Sequence, residues 1–360
     1  MDNRHTHLFK KAICKVTNFF RMSDTNLVFL SFCTNFEPKI INDMKRVLII
    51  KPLCWLSFLL LLFMAAPVWA QGEPAAVPDD MLGSMSAQDR AAVLLVSFGT
   101  THDDTRAVTI DAMAQKVRAA YPQLQVVQSF TSRIILRRLK ARGVEIDSPV
   151  EAMLKLRAQG ITHLLVQSTN IIEGEEMESL RQDVETMRPF FKEVRVGTPL
   201  LYDTADALRV AEILAQRHPA NAKQREHVLL VGHGTEGPAT AIYSQLDYMF
   251  KAEGHPNHHV GTIEGYPAFE NALALIQAAK GKKVTLVPLM FVAGDHAKND
   301  ISVDWKEALE AAGLEVTLHI EGLGEVPEIQ DIFLQHIHFS LQNKVRGIME
   351  KKAIYSAQTD

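Results

Sequence analysis

From Ala91 onward, short apolar runs alternate with stretches whose apolar residues recur at helical spacing. Short runs of β-formers bounded by turn residues predict buried strands, and i, i+3, i+4 spacing predicts amphipathic helices. In the first half, strands are expected at Ala91–Ser97, Gln125–Ser129, His163–Ser168 and Val194–Gly197. Helices are expected over Thr105–Tyr121, Arg133–Arg142, from Ser148 onward, Glu175–Pro189 and Asp203–Arg217. Ser148-Pro149 has the composition of a helix start, with a serine cap and proline at the first helical position. In the second half, strands are expected at His227–Val231, His259–Ile263, Val284–Leu289 and Glu315–Ile320. Its helices fall at about Ala239–Lys251, Ala268–Ala279 and Lys298–Ala312, with a long one from Glu328 towards Lys351. Strands alternating with helices require right-handed crossovers, hence parallel sheets covered on both faces.

The halves also resemble each other. Leu94-Leu95-Val96-Ser97-Phe98-Gly99-Thr100 parallels Leu229-Leu230-Val231-Gly232-His233-Gly234-Thr235, with Phe98 where the second copy has His233. His163–Val166 parallels Val284–Val287, and carrying that register forward sets Glu175 against His296. The expectation is an α/β protein of two facing Rossmann-like domains, residues 91–222 and 223–360. Each would hold a four-stranded parallel sheet flanked by helices, with the active-site cleft between them.

Before Ala91 the pattern changes. Met44-Lys45-Arg46 precedes an uncharged run from Leu53 to Ala66, and Val68-Trp69-Ala70 places small residues at −3 and −1 of a cleavage point. Residues 44–70 therefore read as a signal peptide cut after Ala70, which implies a periplasmic protein with no stable membrane span once cleaved. An uncleaved anchor is the alternative, because the run is nearly long enough to span a bilayer. Residues 1–43 carry no clear pattern and read as an over-extended N-terminus, with Met44 as the start. Residues 71–90, with Pro74, Pro78 and Gly83, read as a flexible linker.

Composition narrows the chemistry. The 360 residues are 47% hydrophobic and 22% charged, with room for two domains. A formal charge of −4 gives no reason to expect nucleic acid as a partner. Cys14, Cys33 and Cys54 all precede the globular part, so a metal site there must use histidine, carboxylate or solvent. Nothing in the pattern decides whether copies associate as a homo-oligomer.

Ligands of open parallel sheets bind beyond the carboxyl ends of the strands. Three such ends in the second half carry candidate metal ligands: His233, Glu264 in Gly261-Thr262-Ile263-Glu264-Gly265, and His296 in Gly294-Asp295-His296-Ala297. Two imidazoles and a carboxylate with an open position form a catalytic ligand set. Taken singly, each would pass for a turn residue or cap, with Asp295 capping the helix after it. His255, His258 and His259 read as a solvated loop, and His336 and His338 as surface residues of the last helix. Glu173, Glu175 and Glu176 face the crevice from the other half or sit as favourable charges at a helix start. Thr131-Ser132-Arg133 opens a helix and is a candidate anion site, or an N-cap before a solvated basic face. Gly-rich phosphate loops and a Gly-x-Ser-x-Gly elbow are absent from the sequence.

At these residues the sequence resembles the class II tetrapyrrole chelatases, and within them the anaerobic cobalt chelatases that act on sirohydrochlorin. The resemblance rests on Val93–Thr101, Ser129–Arg133, Gly232–Thr235, Gly261–Gly265 and Gly294–Asp300. It departs from the family in the short Ile301-Ser302-Val303-Asp304-Trp305, where a longer acidic loop is usual. The resemblance implies chelatase-type domains, and His233, Glu264 and His296 as both metal ligands and catalytic groups. It implies Co²⁺ as substrate metal, with Fe²⁺ or Ni²⁺ as alternatives, and no organic cofactor. Sirohydrochlorin would lie in the cleft, its carboxylates held by Arg133, Thr131 and Ser132, with Phe98 and Glu175 on the facing wall. A metal or haem carrier on the same scaffold is the competing reading.

Overall fold

The structure, a computed structural model, describes residues 76–358. The expected signal peptide and the segment before it lie outside the described residues. Among the described residues, no helix is long and apolar enough to cross a membrane.

The chain opens with β1 (Ala76–Pro78) and β2 (Ala91–Ser97), then a helical turn Asp103–Arg106 and a π-segment Ala107–Asp111 leading into α1 (Ala112–Ala120). β3 (Gln125–Phe130), α2 (Arg133–Ala141), α3 (Pro149–Ala158), β4 (His163–Ser168), α4 (Glu175–Met187), β5 (Glu193–Val196) and α5 (Thr204–Arg217) complete the first half. The second half holds β6 (Glu226–Gly234), α6 (Ala241–Ala252), β7 (His258–Glu264), α7 (Phe269–Ala278), β8 (Lys283–Pro288) and a π-segment Ala297–Trp305. It continues through α8 (Lys306–Ala311), β9 (Glu315–Leu318), α9 (Pro327–Gln342), β10 (Asn343–Val345) and α10 (Ile348–Gln358).

Two four-stranded parallel sheets form, in the orders β3-β2-β4-β5 and β7-β6-β8-β9. The order is the same in each, so the sequence likeness of the halves is matched by their topology. β2 and β6 are central and almost wholly buried, which is why they read as unbroken apolar runs rather than alternating ones. Gly99, just past β2, and Gly234, the last residue of β6, hold the same place in the repeat, with φ of +100° and +84°. α3 starts as expected: Ser148 and Glu151 form a reciprocal capping box, with Pro149 first in the helix.

The inner faces of the two sheets share one core, in which Val93 and Leu165 of the first half join Leu230 and Val287 of the second. Each outer face has a core of its own. The boundary at 222/223 divides the sequence but not the packing. α9 was expected with the second domain, yet it packs on β4 and β5 of the first. α5, from the first half, lies beside α6 of the second.

Four further expectations are corrected. Residues 76–90 are not a flexible linker: β1 pairs with β10 and Met81 is fully buried. The Arg195 guanidinium on β5 holds this region, donating from Nη1 to the carbonyls of Asp79 (2.7 Å), Ser340 (3.0 Å) and Leu341 (3.1 Å). The expected last helix is broken by β10, where Asn343 turns extended. His258 and His259 are not in a solvated loop; they are the first residues of β7 and buried, because their backbones enter the ladder opposite Val228 and Leu229. His336 is likewise buried, and its Nε2 meets Asp206 Oδ2 on α5 at 2.9 Å.

Candidate active site

The carboxyl ends of both sheets open into one cleft of about 680 Å³, walled by residues from both halves. Its second-half wall is built by adjacent strands. Gly234 of β6 stands in register with Glu264 of β7, so His233 and Glu264 leave neighbouring strand ends. The approach demands glycine: a Cβ on Gly234 would lie 1.6 Å from the Glu264 carbonyl oxygen. Gly232 is constrained in the same way, since a Cβ there would meet the Tyr243 ring at 2.3 Å. Burial pushes the Tyr243 phenol up to about 12, so it stays neutral beneath the site.

His296 reaches the cleft by a different route, at the start of the π-segment after β8. The His233 and His296 rings stand 4.7 Å apart and nearly perpendicular, at 86°. Each engages an acceptor through Nδ1. His233 meets the Gly234 carbonyl at 3.2 Å, and His296 meets Asp300 Oδ2 at 2.5 Å. An acceptor at Nδ1 places the proton there and leaves Nε2 with a free lone pair, the state a metal ligand requires. Glu264 lines the same cleft and is exposed. It stands off from the two imidazoles: among the described residues, the trio whose ligand atoms all lie within 4.8 Å of one another is His218, His319 and Glu321. The expected ligands thus share one chamber, two in contact and one poised beside them.

The first-half wall carries Phe98, which matches His233 in the repeat, and Glu175. The strand register, Leu94 beside Val166 and Leu229 beside Leu286, sets Glu175 against Asp295 and not against His296 as expected. Phe98 is 47% exposed, an apolar face presented to the cleft. Glu176 also lines it, whereas Glu173 is turned away and pairs with Arg181 at 2.6 Å.

The expected anion site needs correction. Arg133 is exposed, is not among the cleft-lining residues, and acts on Asp183. Thr131 is also outside the lining and donates to Glu176 Oε2 at 2.8 Å. Ser132 does reach the cleft, but its hydroxyl caps α2 by accepting from the Ile135 amide at 3.4 Å. The arginine that faces the cleft is Arg138, more than a turn further along α2.

Arg138 and His102 also explain Asp295, which sequence reasoning took for a helix cap. His102 Nε2 meets Asp295 Oδ1 at 2.7 Å, and Arg138 lies 3.7 Å from the other oxygen. The His102 hydrogen bond, above all, holds the Asp295 carboxyl below its ordinary range. These contacts bridge the halves beside His296. His102 was missed: it lies in the turn after β2, and nothing local marks its reach across to Asp295.

Comparison with known proteins agrees with this architecture. Residues 91–342 match the family described as Cobalt chelatase (CbiK). The chain is 39% identical to a sirohydrochlorin cobaltochelatase of Salmonella typhimurium over 264 residues, covering 71% of this chain and 98% of that protein. It is 35% identical to sirohydrochlorin cobaltochelatase CbiKC of Nitratidesulfovibrio vulgaris over 254 residues, covering 69% of this chain and 89% of that one. In fold it is similar to SirB from Bacillus subtilis, solved with Fe³⁺, at a TM-score of 0.51 and 14% identity. That alignment covers 70% of this chain and 96% of the other. A family match that spans both halves, with two relatives above 30% identity covered over most of their length, shows that this chain belongs to the cobalt chelatase family.

Proposed function

We propose that the protein is a sirohydrochlorin cobaltochelatase, inserting Co²⁺ into sirohydrochlorin with release of the two pyrrole N–H protons. The observation that carries this is the His233–His296 pair, 4.7 Å between rings, each tethered through Nδ1. In this reading the two Nε2 atoms receive the incoming ion and Glu264 rotates in as third ligand, leaving positions for exchangeable water. Such a set holds the ion weakly enough to surrender it. As the ion passes to the macrocycle, the vacated imidazoles and Glu264 accept the protons. Glu175, Glu176 and Asp295 line the same cleft and concentrate a divalent cation there. Phe98 and Met290 offer apolar surface to the flat ring system, and Arg138 a partner for one of its carboxylates.

Purified protein given sirohydrochlorin and Co²⁺ should show the absorbance change of insertion through many turnovers. His233→Ala and His296→Ala should each slow it by about 100-fold or more. Binding of the macrocycle without turnover would identify a carrier of metal or haem instead. Faster turnover with Fe²⁺ or Ni²⁺ would reassign the metal, since imidazole and carboxylate accept all three.

We infer that the protein works in the periplasm, on the strength of Lys45-Arg46, the apolar run and Val68-Trp69-Ala70. Fractionated cells should yield a periplasmic chain that begins at Gln71. A cytoplasmic chain retaining Met44 would refute export.

A further inference from the structure

We propose that the protein has a second divalent-metal site outside the cleft, in which His218, His319 and Glu321 hold a borderline ion of the Zn²⁺, Co²⁺ or Ni²⁺ class. Their ligand atoms all lie within 4.8 Å of one another, and none of the three lines the cleft. The two imidazoles meet edge to face, with ring centroids 4.5 Å apart. His319 Nε2 lies 3.2 Å from Glu321 Oε2. Two imidazoles and a carboxylate, with no thiolate, form the ligand set that borderline ions accept.

The surroundings suit an ion. His218 is buried, and its carbonyl accepts from His258 Nε2 at 2.8 Å, which fixes the backbone that presents its ring. His319 is 47% exposed, leaving one side open for entry and for a water ligand. Donors bound at about 2.0–2.2 Å around a tetrahedral ion lie roughly 3.4 Å apart, which His319 Nε2 and Glu321 Oε2 already meet at 3.2 Å, while the distances to His218, within 4.8 Å, have at most about 1.4 Å to close. Rotation of the exposed His319 side chain supplies that. Arg217 grips both oxygens of Glu321, its Nε at 2.6 Å and its Nη2 closer still. A carboxylate that accepts a bidentate arginine keeps further lone pairs, so Arg217 orients Glu321 rather than using it up. An Arg217–Glu321 ion pair alone would need neither histidine.

Position in the fold gives the site a purpose. His218 ends α5, the last helix of the first half, and His319 and Glu321 lie between β9 and α9, which returns to the first-half sheet. An ion here ties the outgoing crossing to the returning one.

The test separates this site from the cleft. A metal-stripped His233→Ala/His296→Ala double variant, dialysed against Zn²⁺ alone without tetrapyrrole, should retain one equivalent. Adding His319→Ala, or in a parallel variant Glu321→Gln, should abolish retention. Zn²⁺ should raise the Tm of the double variant by several degrees and leave that of the triple variants unmoved. No zinc on the folded double variant, or an undiminished equivalent on the triple variants, would overturn the proposal.

Discussion

A partner on one ring nitrogen fixes the tautomer and turns the other nitrogen's lone pair towards an ion, and His233 and His296 are held in this way by different partners. His233 uses the carbonyl of the next residue, whereas His296 uses a carboxylate one helical turn ahead. Asp300 therefore matters although it is not among the residues lining the cleft. Asp300→Asn keeps the shape and weakens the acceptor, and it should cut Co²⁺ insertion by about 10- to 100-fold with the circular dichroism unchanged. An undiminished rate would mean that the ring is held by packing alone. His233 and Glu264 stood out as candidates because they fall at strand ends beside glycine, and His296 because it follows the next strand in a short Gly294-Asp295 turn. The roles of other histidines were not. His259 and His336 carry no local sign that distant elements bury them, and Arg138 could not be told from Arg133 without the rotation of α2 within the fold.

At the scale of elements, the parallel strands and their helices were readable because each obeys its own periodicity. What eluded reading was contact between distant segments. β1 has three residues, too few for a pattern, and its partner β10 interrupts what looks like one long helix. Arg195 is the knot that secures both. Its guanidinium meets Glu193 at 2.7 Å and Asp79 at 3.2 Å in addition to the carbonyls. Arg195→Met removes the donor to the Asp79 and Ser340 carbonyls and the cation beside the half-exposed Asp79 and Glu193, and should lower stability by about 2 kcal/mol in urea unfolding. A loss under ~1 kcal/mol would mean that β1 and β10 hold without it.

For the whole molecule, the buried histidines of the second sheet set an acid limit. Burial pulls the His259 imidazole down to about 3, and its neighbour His227, 2.9 Å away, is lowered by burial too. Once unfolded, His259 takes up a proton below pH ~6.5, whereas in the fold it resists until about 3. The unfolded chain thus binds more protons in that window. Stability is full above pH ~6.5 and falls as the pH drops towards 3, by about 1.4 kcal/mol per pH unit for this residue. His259→Leu should flatten the dependence of the urea midpoint on pH between about 7 and 5; an unchanged slope would refute the assignment.

The exchange of α5 and α9 limits how far the likeness between the halves extends. It holds for strands and for the turns that follow them, and it ends where the sheets are covered. A chain stopped before Pro327 would leave one face of β4 and β5 without the helix that packs on it, although every residue of those strands was present. The covering is communal, so neither wall of the cleft is a detachable module.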